Sequence, residues 1–232
     1  MSVNRELVST VRRELAARAD PSKAPQMQAY LKTEMPCLGV TVPLQREITA
    51  QAAAAFPLES FDDWRDTVLE LRRGAEQREE LGCAGFLAGQ RRYRAFQTLE
   101  ALPVYEELIV QGAWWDLVDE IATHRLGPLL LAYPAEMRRK MLAWSRNRSL
   151  WKRRSSIICQ VTLKKKTNLE LLYACIEPNL GDRDFFIRKA IGWALRSYVY
   201  TDPDEVARYV RENESRLSPL SRREALRNTP DS

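Results

Sequence analysis

The sequence has few of the residues on which several common chemistries depend. It contains a single histidine, His124, and four widely separated cysteines, Cys37, Cys83, Cys159 and Cys175. No cysteine pair has the spacing of a zinc site, and one histidine argues against Ser-His or Cys-His catalysis. Any acid–base or electrostatic chemistry is therefore expected to depend on carboxylates, with no metal and no cofactor.

Long apolar runs and secretory features are missing as well. No apolar stretch approaches the ~18 residues that a membrane span requires, and the N-terminal segment is amphipathic, unlike a secretory signal. Separated cysteines without a disulfide framework are typical of reduced, packed thiols. We therefore expect a cytoplasmic protein.

What the sequence does contain is a nearly continuous series of helix patterns. Apolar residues recur at helical spacing in segments of roughly 8–16 residues joined by short loops, and no segment has the pattern of a strand. Short antiparallel helix pairs are typical of HEAT-type repeats. We predict an all-α fold, a HEAT-like repeat solenoid with a concave basic groove, formed by a single domain over residues 1–232. A compact helical bundle is the alternative.

The stretch Gly112–Leu126 predicts one helix with two different faces. Its apolar stripe consists of Trp114, Leu117, Val118 and Ile121. We therefore expect Trp114 in the core, and Gly127-Pro128 at the end of the helix. Trp115 and Asp119 are four residues apart on another face, which sets an aromatic ring beside a carboxylate. The alternative for that face is ordinary packing of the ring and pairing of the acid with a surface arginine.

Positive charge is concentrated between Arg138 and Arg196. This segment contains fifteen Lys and Arg against four Asp and Glu, a net charge of +11 in a protein whose total is +5. Such a concentration is typical of a polyanion-binding face. The alternative is a solvated face balanced by acids elsewhere. The candidate DNA-binding residues are Arg148, Lys152, Arg153, Arg154, Lys164, Lys165, Lys189 and Arg196.

Two predicted helices in this segment, Leu150–Leu163 and Asp184–Val199, present such residues away from their apolar stripes. On the second helix Trp193 lies between Lys189 and Arg196, and a tryptophan flanked by cations is typical of nucleic-acid-binding surfaces. If equivalent faces of successive helices line one groove, a single site is formed. Its members would be Trp115, Asp119, Arg154 and Trp193.

Several separated motifs resemble those of the AlkD-type alkylpurine DNA glycosylases, a family of HEAT-like repeat proteins. The motifs are Tyr105–Asp119, Leu150–Gln160, Phe185–Arg196 and Leu217–Leu226, with weaker agreement in Leu38–Arg46. The resemblance implies that Asp119 is the catalytic carboxylate, that Trp115 and Trp193 are the two site tryptophans, and that Arg154 is the functional arginine. Thr41 stands where the family's turn has a polar glutamine, a difference that bears on substrate preference.

The activity that the resemblance implies is hydrolysis of the N-glycosidic bond of cationic N3- or N7-alkylated purines in duplex DNA. We expect the protein to act as a nucleoid-associated monomer. A cationic base departs without a strong general acid, so Asp119 would stabilise the oxocarbenium-like sugar and position water. The alternatives are a glycosylase for bulky adducts in self-resistance to a DNA-alkylating natural product, a non-enzymatic DNA-binding HEAT protein, and a protein-interaction scaffold.

Overall fold

The computed structural model describes residues 3–227, and this part of the chain is helical without any strand. The all-α prediction is therefore confirmed, and the succession of short helices and short loops agrees with a repeat of helix pairs. None of the helices in the described range is both long enough and apolar enough to span a membrane. The chain divides into two compact units, Met1–Leu108 and Ile109–Ser232. The single domain and the concave groove stay predictions.

The first unit is built from amphipathic helices around a buried aromatic centre. Its helices are α1 (Arg5–Ala17), α2 (Ala24–Leu31), α3 (Val42–Ala55), α4 (Phe61–Arg73), α5 (Arg78–Ala88) and the first part of α6 (Leu102–Gly112). Ser60 caps the start of α4, whose Trp64 is fully buried. The ring of Tyr105 packs edge-on against Trp64 at 6.2 Å between centroids.

The turn that leads into α3 is held by a buried carboxylate. Glu79, 2% exposed, accepts hydrogen bonds from the backbone N–H groups of Leu38, Gly39 and Val40 at 2.8–3.2 Å. These bonds satisfy backbone donors that no helix pairs. Thr41 follows this turn directly and is exposed.

The second unit contains the rest of the helices. They are the last part of α6, α7 (Trp115–Ile121), α8 (Gly127–Ala132), α9 (Pro134–Trp144), α10 (Leu150–Ile158), α11 (Leu169–Ile176), α12 (Phe185–Val199), α13 (Pro203–Glu212) and α14 (Pro219–Leu226). The α10 helix packs against both α7 and α12, and α12 packs against α14. The predicted helix that was to end at Leu163 ends at Ile158 instead.

The prediction of one helix over Gly112–Leu126 is wrong at its start. The α6 helix runs to Gly112, and Ala113 has a left-handed backbone with φ 42°, which no continuous helix permits. Trp114 is extended and forms the N-cap of α7, which begins at Trp115. Trp114 is therefore not a member of the buried helical stripe. Its partly buried ring packs against Trp151 and Phe186 at 6.2 and 5.4 Å.

The prediction that Gly127-Pro128 ends this helix is also wrong. A π-turn over Ala122–Leu126 joins α7 directly to α8. A proline ring collides with the carbonyl four residues earlier in a regular α-helix, so the wider turn accommodates Pro128. A Cβ on Gly127 would lie 2.7 Å from the carbonyl oxygen of Cys159. The missing side chain thus lets this junction touch the end of α10.

Candidate functional site

A carboxylate of α7 and a guanidinium of α10 form the centre of the candidate site. Arg154 donates from Nε to Oδ1 of Asp119 at 2.8 Å and from Nη2 to Oδ2 at 2.7 Å. The Arg154 side chain is 6% exposed, whereas 16% of the Asp119 side chain is exposed. Two parallel bonds between planar groups fix the orientation of both side chains. The carboxylate is therefore the more accessible member of a rigid pair.

Backbone contacts hold both members of this pair in place. The Nη1 of Arg154 donates to the carbonyl oxygen of Phe186 at 2.6 Å, which ties α10 to the first turn of α12. On the other side, the hydroxyl of Thr123 in the π-turn donates to the backbone oxygen of Asp119 at 2.8 Å. Three helices and the π-turn thus converge on a single ion pair.

Two tryptophans lie on the helices that surround the ion pair. The guanidinium carbon of Arg154 lies 6.0 Å from the ring centroid of Trp193 on α12. Trp115 lies one turn before Asp119 on α7, and both tryptophans are partly buried. The structure thus brings Asp119, Arg154 and Trp193 together and places Trp115 on the face of α7 that carries Asp119.

The Asp119 carboxyl has a raised pKa. Burial raises the pKa above its ordinary value of 3.8, and the negative charge of Asp116 acts in the same direction. The hydrogen bonds and the positive charge of Arg154 oppose this increase. A buried carboxylate with a single cationic partner is costly to desolvate, so its protonation is sensitive to that one partner.

The geometry gives Arg154 a different environment from the one expected of a phosphate ligand. Three of its five N–H donors go to protein acceptors, and two of these bonds place its positive charge against the Asp119 carboxylate. Phosphate binding by Arg154 stays a prediction. The contacts favour a role in positioning Asp119.

Another arginine-bound carboxylate of the second unit, Glu224 of α14, was not among the predicted site residues. It lies 3.0 Å from Nζ of Lys189 and 2.8 Å from Nη1 of Arg196. Burial raises the pKa of Glu224, but the hydrogen bond and charge of Lys189, with the charges of Arg196 and Arg227, lower it below its ordinary value. Two of the predicted DNA-binding cations are therefore paired within the protein.

The sequence does carry one signal for this contact, at Gly192 on α12. A Cβ at this position would lie 2.4 Å from the Cβ of Glu224, so only glycine permits the close approach of α12 and α14. Glu224 also lies within the Leu217–Leu226 motif. Sequence separation conceals the pairing, because the carboxylate comes 28 residues after Arg196.

The other predicted DNA-binding residues fall into two groups. Arg153 pairs with Asp182 at 2.9 Å, and the Lys152 ammonium lies 5.7 Å from the centroid of the Trp144 ring. The second group is exposed, and no carboxylate of residues 3–227 pairs with its members. These are Arg148, Lys164 and Lys165. No group of three or more His, Cys, Asp or Glu in the described chain could hold a metal ion.

Two comparisons with known proteins bear on the family and the fold of the chain. The model of the DNA alkylation repair enzyme family matches residues 11–229. The chain belongs to that family. A solved structure from Enterococcus faecalis, titled as a predicted DNA alkylation repair enzyme, is similar with a TM-score of 0.81 and 28% identity, covering 92% of this chain and 98% of that one. A comparison with curated proteins finds no match.

Proposed function

We propose that this member of the DNA alkylation repair family is a DNA glycosylase that hydrolyses the N-glycosidic bond of cationic N3- or N7-alkylated purines in duplex DNA. The observation that carries the proposal is the Asp119 carboxylate, fixed by Arg154, partly exposed, and accompanied by Trp115 and Trp193. Such a group suits a reaction in which positive charge develops on a sugar.

The reaction proceeds in a way that these residues can assist. As the N-glycosidic bond breaks, its electron pair leaves with the alkylated base, which thereby loses its positive charge and departs neutral. Positive charge develops at C1′ of the deoxyribose, and the Asp119 carboxylate stabilises it. Water then adds to C1′, and its proton passes to Asp119 or to solvent. The products are the free alkylated base and an abasic site.

The engagement of Asp119 with Arg154 is compatible with this role. A carboxylate has about four lone-pair sites, and Arg154 occupies two of them. The sites left over can accept a hydrogen bond from water. The partly buried faces of Trp115 and Trp193 are suited to pack against a sugar or a cationic base.

A specialised glycosylase for bulky adducts is the second candidate. It is favoured by an aromatic surface beside Arg154, formed by Trp114, Trp151, Phe185 and Phe186, with neighbouring ring centroids 5.2–6.2 Å apart. Phe185 is 52% exposed. An apolar or aromatic substituent on the alkylated base could pack there without a deep pocket.

Base release from defined duplexes tests both candidates. Three duplexes, each with one N7-methylguanine, one N3-methyladenine or one bulky N3-adenine adduct, are incubated with protein, and a protein-free sample corrects for spontaneous depurination. Release of the methylated bases supports general repair, and release of only the bulky base supports the specialised enzyme. No release above background contradicts both. In that case, retained duplex binding would indicate a DNA-binding protein, and no duplex binding would indicate a scaffold.

A further inference from the structure

A surface hollow of about 470 Å³ in the second unit shares no residue with the Asp119 site. It lies where the loop before α12 meets the loop before α14. Three arginines line it, and they are Arg183, Arg188 and Arg216. Three cations around one concavity are typical of an anion site.

Two of these arginines keep their charge available. Arg183 is exposed, and no carboxylate of residues 3–227 pairs with it. Arg188 donates from Nε to the carbonyl oxygen of Asp184 at 3.4 Å, and its two terminal nitrogens have no acceptor in the described chain. The guanidinium of Arg216 is paired with Glu177. The hollow therefore has two uncompensated positive charges.

The one carboxylate in the lining does not cancel them. Asp182 accepts from Nη2 of Arg153 at 2.9 Å with Oδ2, and from the backbone N–H of Asp184 at 2.8 Å with Oδ1. Its negative charge is thus compensated by an arginine of α10 that lies outside the hollow.

The walls of the hollow are fixed by contacts between α12 and α14. The Ser221 hydroxyl donates to the backbone oxygen of Arg188 at 2.9 Å, and Ser218 caps the start of α14 at the rim. The positive end of that helix adds to the potential of the two arginines. The anion site is therefore held by packed helices.

We propose that this hollow binds a phosphodiester of duplex DNA away from the lesion, an inference that rests on the proposed function. A guanidinium fork matches two oxygens of a phosphate, and two such forks suit a singly charged, tetrahedral group. The hollow and the Asp119 site also share supporting helices. Asp182 is tied to α10, which carries Arg154, and Arg188 lies on α12, which carries Trp193. The two sites are therefore carried by the same pair of packed helices.

The test compares two double variants that remove the same charge. Arg183→Gln/Arg188→Gln alters the hollow, and Arg139→Gln/Arg211→Gln alters exposed arginines of α9 and α13 outside it. Affinity for an undamaged duplex is measured between low and moderate salt. Since each phosphate contact contributes about 0.9 to the slope of log K against log salt, the slope of the first variant should fall by about one unit. The slope of the second should match wild type.

A second experiment, with single uncharged linkages in the DNA backbone, then locates the phosphate that contacts the hollow. Duplexes with one methylphosphonate, moved along each strand, should include a position that weakens wild-type binding and leaves binding by Arg183→Gln/Arg188→Gln unchanged. Equal salt slopes for the two double variants, or no such position, would overturn the proposal. Binding of inorganic phosphate is measured with the same proteins. If Arg183→Gln/Arg188→Gln loses phosphate binding but keeps the wild-type salt slope for DNA, the proposal is also overturned, because the hollow would then serve a free anion. Absence of base release by wild type, with these binding results intact, would contradict the glycosylase activity alone.

Discussion

Asp119 and Glu224 are two arginine-bound carboxylates of the second unit whose pKa values are shifted in opposite directions. Asp119 has one cationic partner, Arg154, and burial prevails, so its pKa is raised. Glu224 has Lys189 and Arg196 as partners, and their combined effect prevails over burial, so its pKa is lowered. The neighbouring charges differ in sign as well as in number, because Asp116 adds to the increase at Asp119 and Arg227 adds to the decrease at Glu224.

The opposite pKa shifts distinguish a carboxylate suited to catalysis, Asp119, from one suited to joining two helices, Glu224. The ionised form of Glu224 is stabilised by two ion pairs that join α12 to α14, at the place where Gly192 brings the helices together. The ionised form of Asp119 is balanced by one guanidinium and has aromatic neighbours. A positive charge that develops beside Asp119 would relieve the cost of its burial.

The largest stability difference should come from removing one arginine from each carboxylate. Arg154→Ala leaves Asp119 buried without a cation, so we expect a loss of about 3–5 kcal/mol in the free energy of unfolding. Arg196→Ala leaves Lys189 on Glu224, so about 1 kcal/mol is expected. Urea unfolding at neutral pH measures both values. Equal losses would remove the distinction between the two carboxylates.

The same Arg154→Ala protein distinguishes positioning from phosphate binding. If Arg154 serves Asp119, the salt dependence of binding to undamaged duplex should keep the wild-type slope. A slope lower by about one unit would instead establish the phosphate contact that the sequence predicted.

The adjacent tryptophans Trp114 and Trp115 should differ in what they support. Trp114→Ala should cost about 1–3 kcal/mol of stability, less than the ~3–5 kcal/mol expected for the fully buried Trp64→Ala. Trp115→Ala should lower base release while its melting temperature falls less than that of Trp64→Ala. Matching stability losses for Trp114→Ala and Trp64→Ala would contradict the observed packing of Trp114.

The smallest of these effects is the pH dependence of base release. The carboxylate is the active form of Asp119 and its pKa is raised, so kcat/KM should fall as pH decreases through an apparent pKa above 3.8. Glu224→Gln should show the same limb. The two carboxylates contribute to stability with opposite signs. The lowered pKa of Glu224 stabilises the fold above about 4.5, and this contribution is lost as pH falls further, whereas the raised pKa of Asp119 reflects a cost of ionisation that is relieved as pH falls. A limb that disappears in Glu224→Gln would show that the wrong carboxylate was assigned.

Local periodicity was enough to place several residues of the candidate site on their helices. The stripe of α12 follows the 3.6-residue period and its N-cap is Asp184, so its bounds and the off-core position of Trp193 were readable. Asp119 and Trp115 share a face because they are four residues apart, wherever the helix begins.

Features that depend on tertiary contacts could not be predicted from the sequence. Trp114 was misassigned because a left-handed Ala113 leaves no pattern in the sequence. The pairing of Arg154 with Asp119 spans 35 residues and that of Arg196 with Glu224 spans 28, so periodicity cannot reveal either partner. The count of charges along the sequence treated Arg154 and Arg196 as available to DNA, whereas in the fold both form ion pairs with carboxylates.

Single-turnover base release by Asp119→Asn and Glu224→Gln, measured side by side on one N7-methylguanine duplex, tests the central claim most directly. Both substitutions remove one negative charge from a buried, arginine-bound carboxylate and keep its shape. We expect Asp119→Asn to slow release by about 10²–10³-fold with duplex binding near wild type, and Glu224→Gln to stay within about threefold of wild type. Wild-type rates for Asp119→Asn, or equal losses in the two variants, would contradict the assignment of Asp119 as the catalytic carboxylate.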